Sequence, residues 1–339
     1  MNPYTLLIRP LLFTLEPERA HDVALKGLSW MHKLGLLKLL PKAVYEPNNV
    51  MGIDFPNSVG LAAGLDKNAQ YLDALGALGF GFIEVGTVTP RPQSGNAKPR
   101  MFRLPEVEGL INRFGFNNVG LEQFIKNIEA SRYQGILGIN IGKNFDTPNE
   151  RALDDYVTCL RRVYPYADYV TINISSPNTA NLRMLQERKA LTELLSVIKQ
   201  EQKKLAEQYQ RYVPIALKIA PDIDTRQLRQ MADVMRKYKV DAIIATNTTV
   251  SRYEVEGVRN AEQAGGLSGA PLRYRSTYVV EVLADYLQGD IPIIGVGGIF
   301  SAEDACEKVD AGASLVQIYS GLIYRGPCLV REVANSFGY

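Results

Sequence analysis

The chain has 339 residues, 46% of them hydrophobic and 22% charged, and a formal net charge of +2. That composition is globular and long enough for a large core, and the near-neutral balance excludes a polyanion such as nucleic acid as the implied partner. Three scattered cysteines, Cys159, Cys306 and Cys328, form no CxxC pair, so neither a disulfide framework nor a zinc site is indicated and a reducing compartment fits.

Residues 1–45 stand apart from the rest. Pro17 occupies a predicted first helical position, and Ala20, Ala24, Leu28, Met31 and Leu34 recur at helical spacing, followed by the apolar patch LGLLKLL. Residues 1–42 hold six basic positions (9, 19, 26, 33, 38, 42) against three acids (16, 18, 22), a net of +3. Two readings stand: a helical cap on the barrel described next, or a surface for membrane or a greasy ligand. No run of 18 apolar residues predicts a spanning helix, and no basic-apolar-small pattern predicts a secretory signal.

Eight short β-branched segments follow, at 58–64, 82–88, 135–142, 169–175, 215–221, 242–248, 291–298 and 314–320. Near-continuous apolar runs suit parallel strands buried on both faces. Stretches 149–163, 188–210, 224–238 and 301–311 read as helices, the last with Ser301 as N-cap. The pattern predicts a (β/α)8 barrel, an α/β fold, with a doubly wound open sheet as the competing topology. Connections 89–134 and 249–290 are long and predict insertions over the barrel top.

Catalytic groups of such barrels sit at the C-terminal ends of the strands. Those ends carry Asp66 and Lys67, Thr87, Asn140 and Lys143, then Asn173, Ser176 and Asn178, then Lys218, Thr246, Asn247 and Thr248. Both histidines, His21 and His32, lie outside the strands, and Glu84 and Asp66 are too separate to suggest a metal, so none is expected. A planar, heteroatom-rich ligand held by carboxamides fits this set. The glycines of GGLSG, GVGGI and YSG predict a phosphate site after the last two strands. Lys218 has three readings: a lysine snorkelling to the barrel mouth, a fixed cation beside an electron-accepting ring, or a Schiff-base lysine. The serine pair Ser175 and Ser176 reads on its own as turn chemistry ahead of Pro177.

Ten motifs in order, among them GLAAGLDKN, EVGTVTPRPQ, GLINRFGFNN, INIGKN, INISSPNT, KIAPD, ATNTT and IIGVGGI, resemble the class 2 dihydroorotate dehydrogenases over about residues 45–330. The resemblance implies a two-part chain, a membrane and quinone-access segment at 1–45 and an FMN barrel at 46–339. It implies oxidation of (S)-dihydroorotate to orotate in pyrimidine (UMP) biosynthesis, with FMN as cofactor and a membrane quinone as acceptor. It also implies a monomer bound peripherally to the lipid bilayer, at the cytoplasmic face of a bacterial inner membrane.

Carried over residue by residue, FMN lies against Ala62, Ala63, Gly64 and Lys67, with Thr87, Asn140, Asn173, Lys218 and Thr246 around its ring. Its phosphate falls to Gly269, Gly297, Gly298, Tyr319 and Ser320. Orotate falls to Lys67, Asn112, Arg113, Phe114, Gly115, Phe116, Asn173, Asn178, Asn247 and Thr248. The catalytic base implied is Ser176, with Thr179 the nearest relay for its proton. His21, Arg103 and Tyr319 match positions on a quinone path lined by Leu6, Leu7, Leu11, Phe13, Leu28 and Met31, with a packing role as the other reading of His21. Where family members commonly carry Pro-Gly, this chain has Ala180-Asn181, which leaves the pose of that loop open. Two other functions fit the same barrel: a Schiff-base aldolase using Lys218 or Lys67, and a non-catalytic phosphate-ligand binder.

Overall fold

The computed structural model describes residues 3–41 and 43–337; Lys42, one of the basic positions counted above, lies outside the described residues. Eight parallel strands close into a barrel in chain order: β1 Val59–Leu61, β2 Phe82–Val88, β3 Ile136–Ile141, β4 Tyr169–Asn173, β5 Ile215–Ile219, β6 Ala242–Ala245, β7 Ile293–Val296 and β8 Leu315–Ile318. The predicted (β/α)8 barrel is thus the architecture, and the open sheet is not. Almost every strand residue is buried, because helices cover the outer face while side chains fill the inside.

The predicted helices form at Ala152–Val163, Arg188–Tyr209, Thr225–Lys237 and Ala302–Asp310. Ser301 Oγ caps the last by accepting from Asp304 N at 3.3 Å. The long connections hide two further crossover helices, Gly120–Ala130 and Arg273–Leu287. What remains of them builds a three-stranded antiparallel sheet, Met101–Leu104, Gly109–Asn112 and Gly266–Gly269. The middle strand of this sheet delivers Asn112 to the barrel top.

At the opposite end, the hairpin Asn48–Val50/Ile53–Phe55 closes the floor. Phe55 meets Phe82 edge to face at 5.0 Å between centroids, and Phe82 meets Tyr169 at 6.3 Å. Gly138 on β3 leaves room for the Tyr169 ring, whose Cζ stands 2.2 Å from where a Cβ would be.

The N-terminal segment forms helices at Tyr4–Ile8, Arg9–Phe13, Pro17–Lys33 and Leu36–Leu39. Pro17 opens the long helix as expected, and the Glu16 carboxylate caps it by accepting from Glu18 N at 3.1 Å and Arg19 N at 2.9 Å. Its buried face is rotated from the predicted stripe: Ala20 and Leu25 are buried and Leu28 packs on the core, whereas Leu34 turns outward. Leu6, Leu7, Leu11 and Met31 are exposed, while Phe13 packs inward on Tyr324 at 5.4 Å. No helix among the described residues is long and apolar enough to cross a membrane.

Candidate active site

The strand ends surround a cavity of about 960 Å³, counted out to its open mouth. Parallel pairing sets its walls: Asn173 on β4 stands in register with Lys218 on β5, and Gln317 on β8 with Val296 on β7. Most residues named from the sequence meet here. Ala62, Ala63, Gly64 and Lys67 line it after β1, and Thr87 lines it from β2. Asn173, Ser176 and Asn178 follow from β4, with Lys218, Thr246, Asn247 and Thr248 beside them. The roof supplies Asn112, Phe114, Gly115 and Phe116. Gly269, Gly297, Gly298, Tyr319 and Ser320 form the far end.

The serine pair divides its roles by burial. Ser175 is fully buried and its Oγ donates to Asn173 Oδ1 at 3.0 Å. Ser176 alone faces the cavity, and its Oγ accepts from Asn178 N at 3.3 Å, leaving the hydroxyl proton uncommitted. Thr179 Oγ1 and Thr248 Oγ1 are buried without a hydrogen-bond partner among the described residues.

Carboxamides recur around the cavity. Asn140 does not line it but stands behind, where its Oδ1 accepts from Thr87 Oγ1 at 2.6 Å and from Asn173 Nδ2 at 3.1 Å. Asn247 Nδ2 donates to Ser175 Oγ at 3.0 Å, and Asn178 Nδ2 donates to Asn112 Oδ1 at 3.3 Å.

Two lysines bring positive charge. Lys67 donates to Gly64 O at 2.8 Å and rests 4.1 Å over the Phe114 ring. Burial pushes its pKa down to about 8. Lys218 is buried and no described protein group accepts from its ammonium; burial lowers its pKa, and the Glu84 carboxylate opposes that.

Several expected residues are elsewhere. Arg113 turns away from the cavity: its guanidinium donates to Pro99 O at 2.9 Å and Gln263 Oε1 at 3.1 Å, and stacks on Phe102. These carbonyls of the roof loops outcompete the cavity for its donors. Lys143 is buried in its own loop, donating to Thr147 O at 2.7 Å. Asp66 caps a turn, accepting from the backbone of Gln70 at 3.0 Å and Tyr71 at 2.7 Å. Burial raises its pKa against those bonds.

The three residues of the expected quinone path are held in different ways. Tyr319 lines the cavity, its hydroxyl 3.3 Å from Gly64 O and its pKa pushed up to about 12 by burial. Arg103 is spent on the N-terminal segment, donating to Leu15 O at 2.8 Å and Phe13 O at 3.2 Å. The His21 imidazole is desolvated and sits near the Lys67 charge, which together push its pKa down to about 3 and leave it neutral.

Gln317 was missed in the sequence, although a lone carboxamide inside the apolar run LVQI was the signal. It is buried, lines the cavity, and its Oε1 has no partner. Arg183 was missed too; it binds Ser175 O at 3.0 Å, Thr248 O at 2.9 Å and Asp222 at 2.7 Å, fastening the loop after β4 to its neighbours.

The family model for dihydroorotate dehydrogenase matches residues 47–338. The chain is 62% identical over 333 residues to a protein of Methylobacillus flagellatus named dihydroorotate dehydrogenase (quinone), covering 98% of this chain and 99% of that one. A protein of Thiobacillus denitrificans with the same name is also 62% identical, over 96% and 97% of the two chains. Among solved structures, that of the Eimeria tenella enzyme DHODH in complex with ferulenol superposes with a TM-score of 0.85 at 37% identity, covering 96% of this chain and 93% of that one.

Proposed function

The chain belongs to the dihydroorotate dehydrogenase family and is an enzyme of its quinone-linked kind, and we propose that its cavity holds FMN and oxidises (S)-dihydroorotate to orotate for pyrimidine biosynthesis. The residues fit a flavin. Among the described residues, Gln317 Oε1 is a buried acceptor without a donor, and no group accepts from the buried Lys218 ammonium; a ring with N–H and C=O edges suits both. Gly298, at φ +75°, presses on the backbone of Arg273, so a side chain there would collide with the start of the helix that backs the phosphate end. Bound here, FMN would supply the two-electron acceptor for the hydride at C6 of the substrate and the donor for a membrane quinone.

The protein's part is to position the substrate and move one proton. Lys67 meets the substrate carboxylate, and Asn112, Asn178 and Asn247 match its ring amides as donors and acceptors at once. Ser176 Oγ takes the proton from C5, so that a C5=C6 double bond forms as the hydride leaves C6. A serine is a weak base, and it serves only if its own proton moves on and water is excluded. The Thr179 hydroxyl is the relay nearest in sequence, and because no hydrogen bond joins it to Ser176 Oγ among the described residues, the proton would pass to it through a bridging water.

The observation that carries this reading is that Ser176, of the two serines, is the one that faces the carboxamide-lined cavity. Residues 1–45 act as a peripheral membrane contact through exposed Leu6, Leu7 and Leu11, at the cytoplasmic face, and quinone reaches the cavity beside Tyr319. Purified protein should be yellow and bleach on adding dihydroorotate. A colourless protein inactivated by borohydride in the presence of a carbonyl substrate would instead make Lys218 or Lys67 a Schiff-base residue.

A further inference from the structure

Beneath the cavity, Glu84 on β2 is completely buried. Three donors converge on it: Asn140 Nδ2 at 2.8 Å on Oε1, with Tyr169 OH at 2.9 Å and Gln317 Nε2 at 2.8 Å on Oε2. A carboxylate accepts only, whereas a carboxamide donates at one end and accepts at the other. With Nδ2 committed to Glu84, Asn140 must turn Oδ1 toward Thr87 and Asn173. Asn173 Nδ2 is thereby used as donor, and its Oδ1 faces Ser175 Oγ at 3.0 Å and Asn247 Nδ2 at 3.4 Å. Gln317 obeys the same rule: Nε2 is drawn to Glu84, so its Oε1 is left as the partnerless acceptor.

We propose that Glu84 is a positioning residue whose acceptor-only carboxylate sets the donor and acceptor sense of the Asn140–Asn173–Asn247 chain and of Gln317, and so the hydrogen-bond pattern that a heterocyclic ligand meets. The inference rests on the reading of the cavity as a flavin and orotate site. It is a claim about direction rather than contact. An amide of the same size at this position would supply a donor where three donors already point, and one bond in the chain would have to break or one carboxamide flip. Each wrongly turned group leaves a buried polar atom facing its like.

The test uses the flavin-loaded full chain. In Glu84→Gln, the orotate Kd read from the flavin absorbance change should rise about tenfold, and FMN release on dilution should quicken by about tenfold, the size set by one mispaired buried group. Adding Asn140→Asp supplies an acceptor opposite the new amide and still presents an oxygen to Thr87 and Asn173; it should return orotate affinity to within about threefold of the parent. Tyr169→Phe removes a donor from the same carboxylate, and a weak acceptor for Gln317 Nε2 at 3.4 Å, without turning any amide, and should leave orotate affinity within about twofold. The proposal is overturned if Glu84→Gln binds FMN and orotate as the parent does, or if Tyr169→Phe weakens orotate as much as Glu84→Gln. Should Glu84→Gln fail to fold, the double variant decides: near-parent orotate binding supports the proposal, and its absence overturns it. A parent that binds neither FMN nor orotate would instead refute the flavin reading itself.

Discussion

The Arg100 guanidinium grips the Glu18 carboxylate with two hydrogen bonds, Nε to Oε2 at 3.1 Å and Nη2 to Oε1 at 2.7 Å, across the seam between the N-terminal helices and the barrel. Both side chains are largely buried, and Arg100 also holds Ser94 O at 2.6 Å. Glu18→Ala should strand the arginine charge at a cost of about 3–5 kcal/mol. Limited proteolysis should then cut within the N-terminal segment, which the parent protects. Burial opposes ionisation of Glu18, but Arg100 and Lys98 outweigh it and lower its pKa. A lowered carboxylate pKa gives stability that is present at neutral pH and lost as pH falls below about 4.5, so docking should loosen in acid.

Ser176→Ala should keep FMN and bind orotate, yet bleach with dihydroorotate at least about a hundredfold more slowly in stopped flow. Ser176→Cys should regain activity mainly above about pH 8.5, where a thiol ionises. Near-parent bleaching in the alanine variant would remove the assignment of the base.

Lys67 carries a pKa pushed down to about 8 by burial. In the proposed site its ammonium pairs with the substrate carboxylate, so binding would need the protonated form. Orotate affinity should be flat below that pH and fall above it, approaching tenfold per unit. Lys67→Met should weaken orotate at every pH and abolish this dependence; a retained alkaline limb would assign it to another group.

Lys218→Met removes a buried charge beside the proposed ring while keeping its bulk. The variant should bind FMN more weakly or lower the flavin reduction potential, because a fixed cation favours the added negative charge. An unchanged potential in fully loaded variant protein would count against that role and leave Lys218 a packing residue.

Deletion of residues 1–40 should abolish turnover with a long-chain quinone in vesicles while bleaching by dihydroorotate survives. The exposed Leu6, Leu7 and Leu11 lie on the part removed, and the cavity residues do not. Full-length rates from a folded truncated enzyme would mean that quinone reaches the cavity by another route.

The barrel was legible because strands buried on both faces leave unbroken apolar runs, and because Asn, Ser, Thr or Lys at the end of such a run has few structural uses. Thr87, Asn173 and Lys218 stood out for that reason, whereas Ser176 read as turn chemistry until the family resemblance singled it out, and all four meet in one cavity. The crossover helices Gly120–Ala130 and Arg273–Leu287 were hidden in connections that also hold short strands, so no single period dominated. Side-chain direction was the harder part. Arg113 and Arg103 sit on or beside the roof sheet, but backbone carbonyls far away in sequence claim their donors, and nothing local announces that. Glu84 was noticed and set aside as too isolated for a metal; its partners come from three other strands and only folding assembles them.

The aromatic plug made by Phe55, Phe82 and Tyr169 turns the barrel into a vessel sealed at the bottom. All molecular traffic must therefore cross the upper rim, where Arg183 clasps the loop after β4 to the carbonyl of Thr248. Residence times of small molecules inside should follow how often that clasp lets go, and should be indifferent to how tightly the staves themselves are packed.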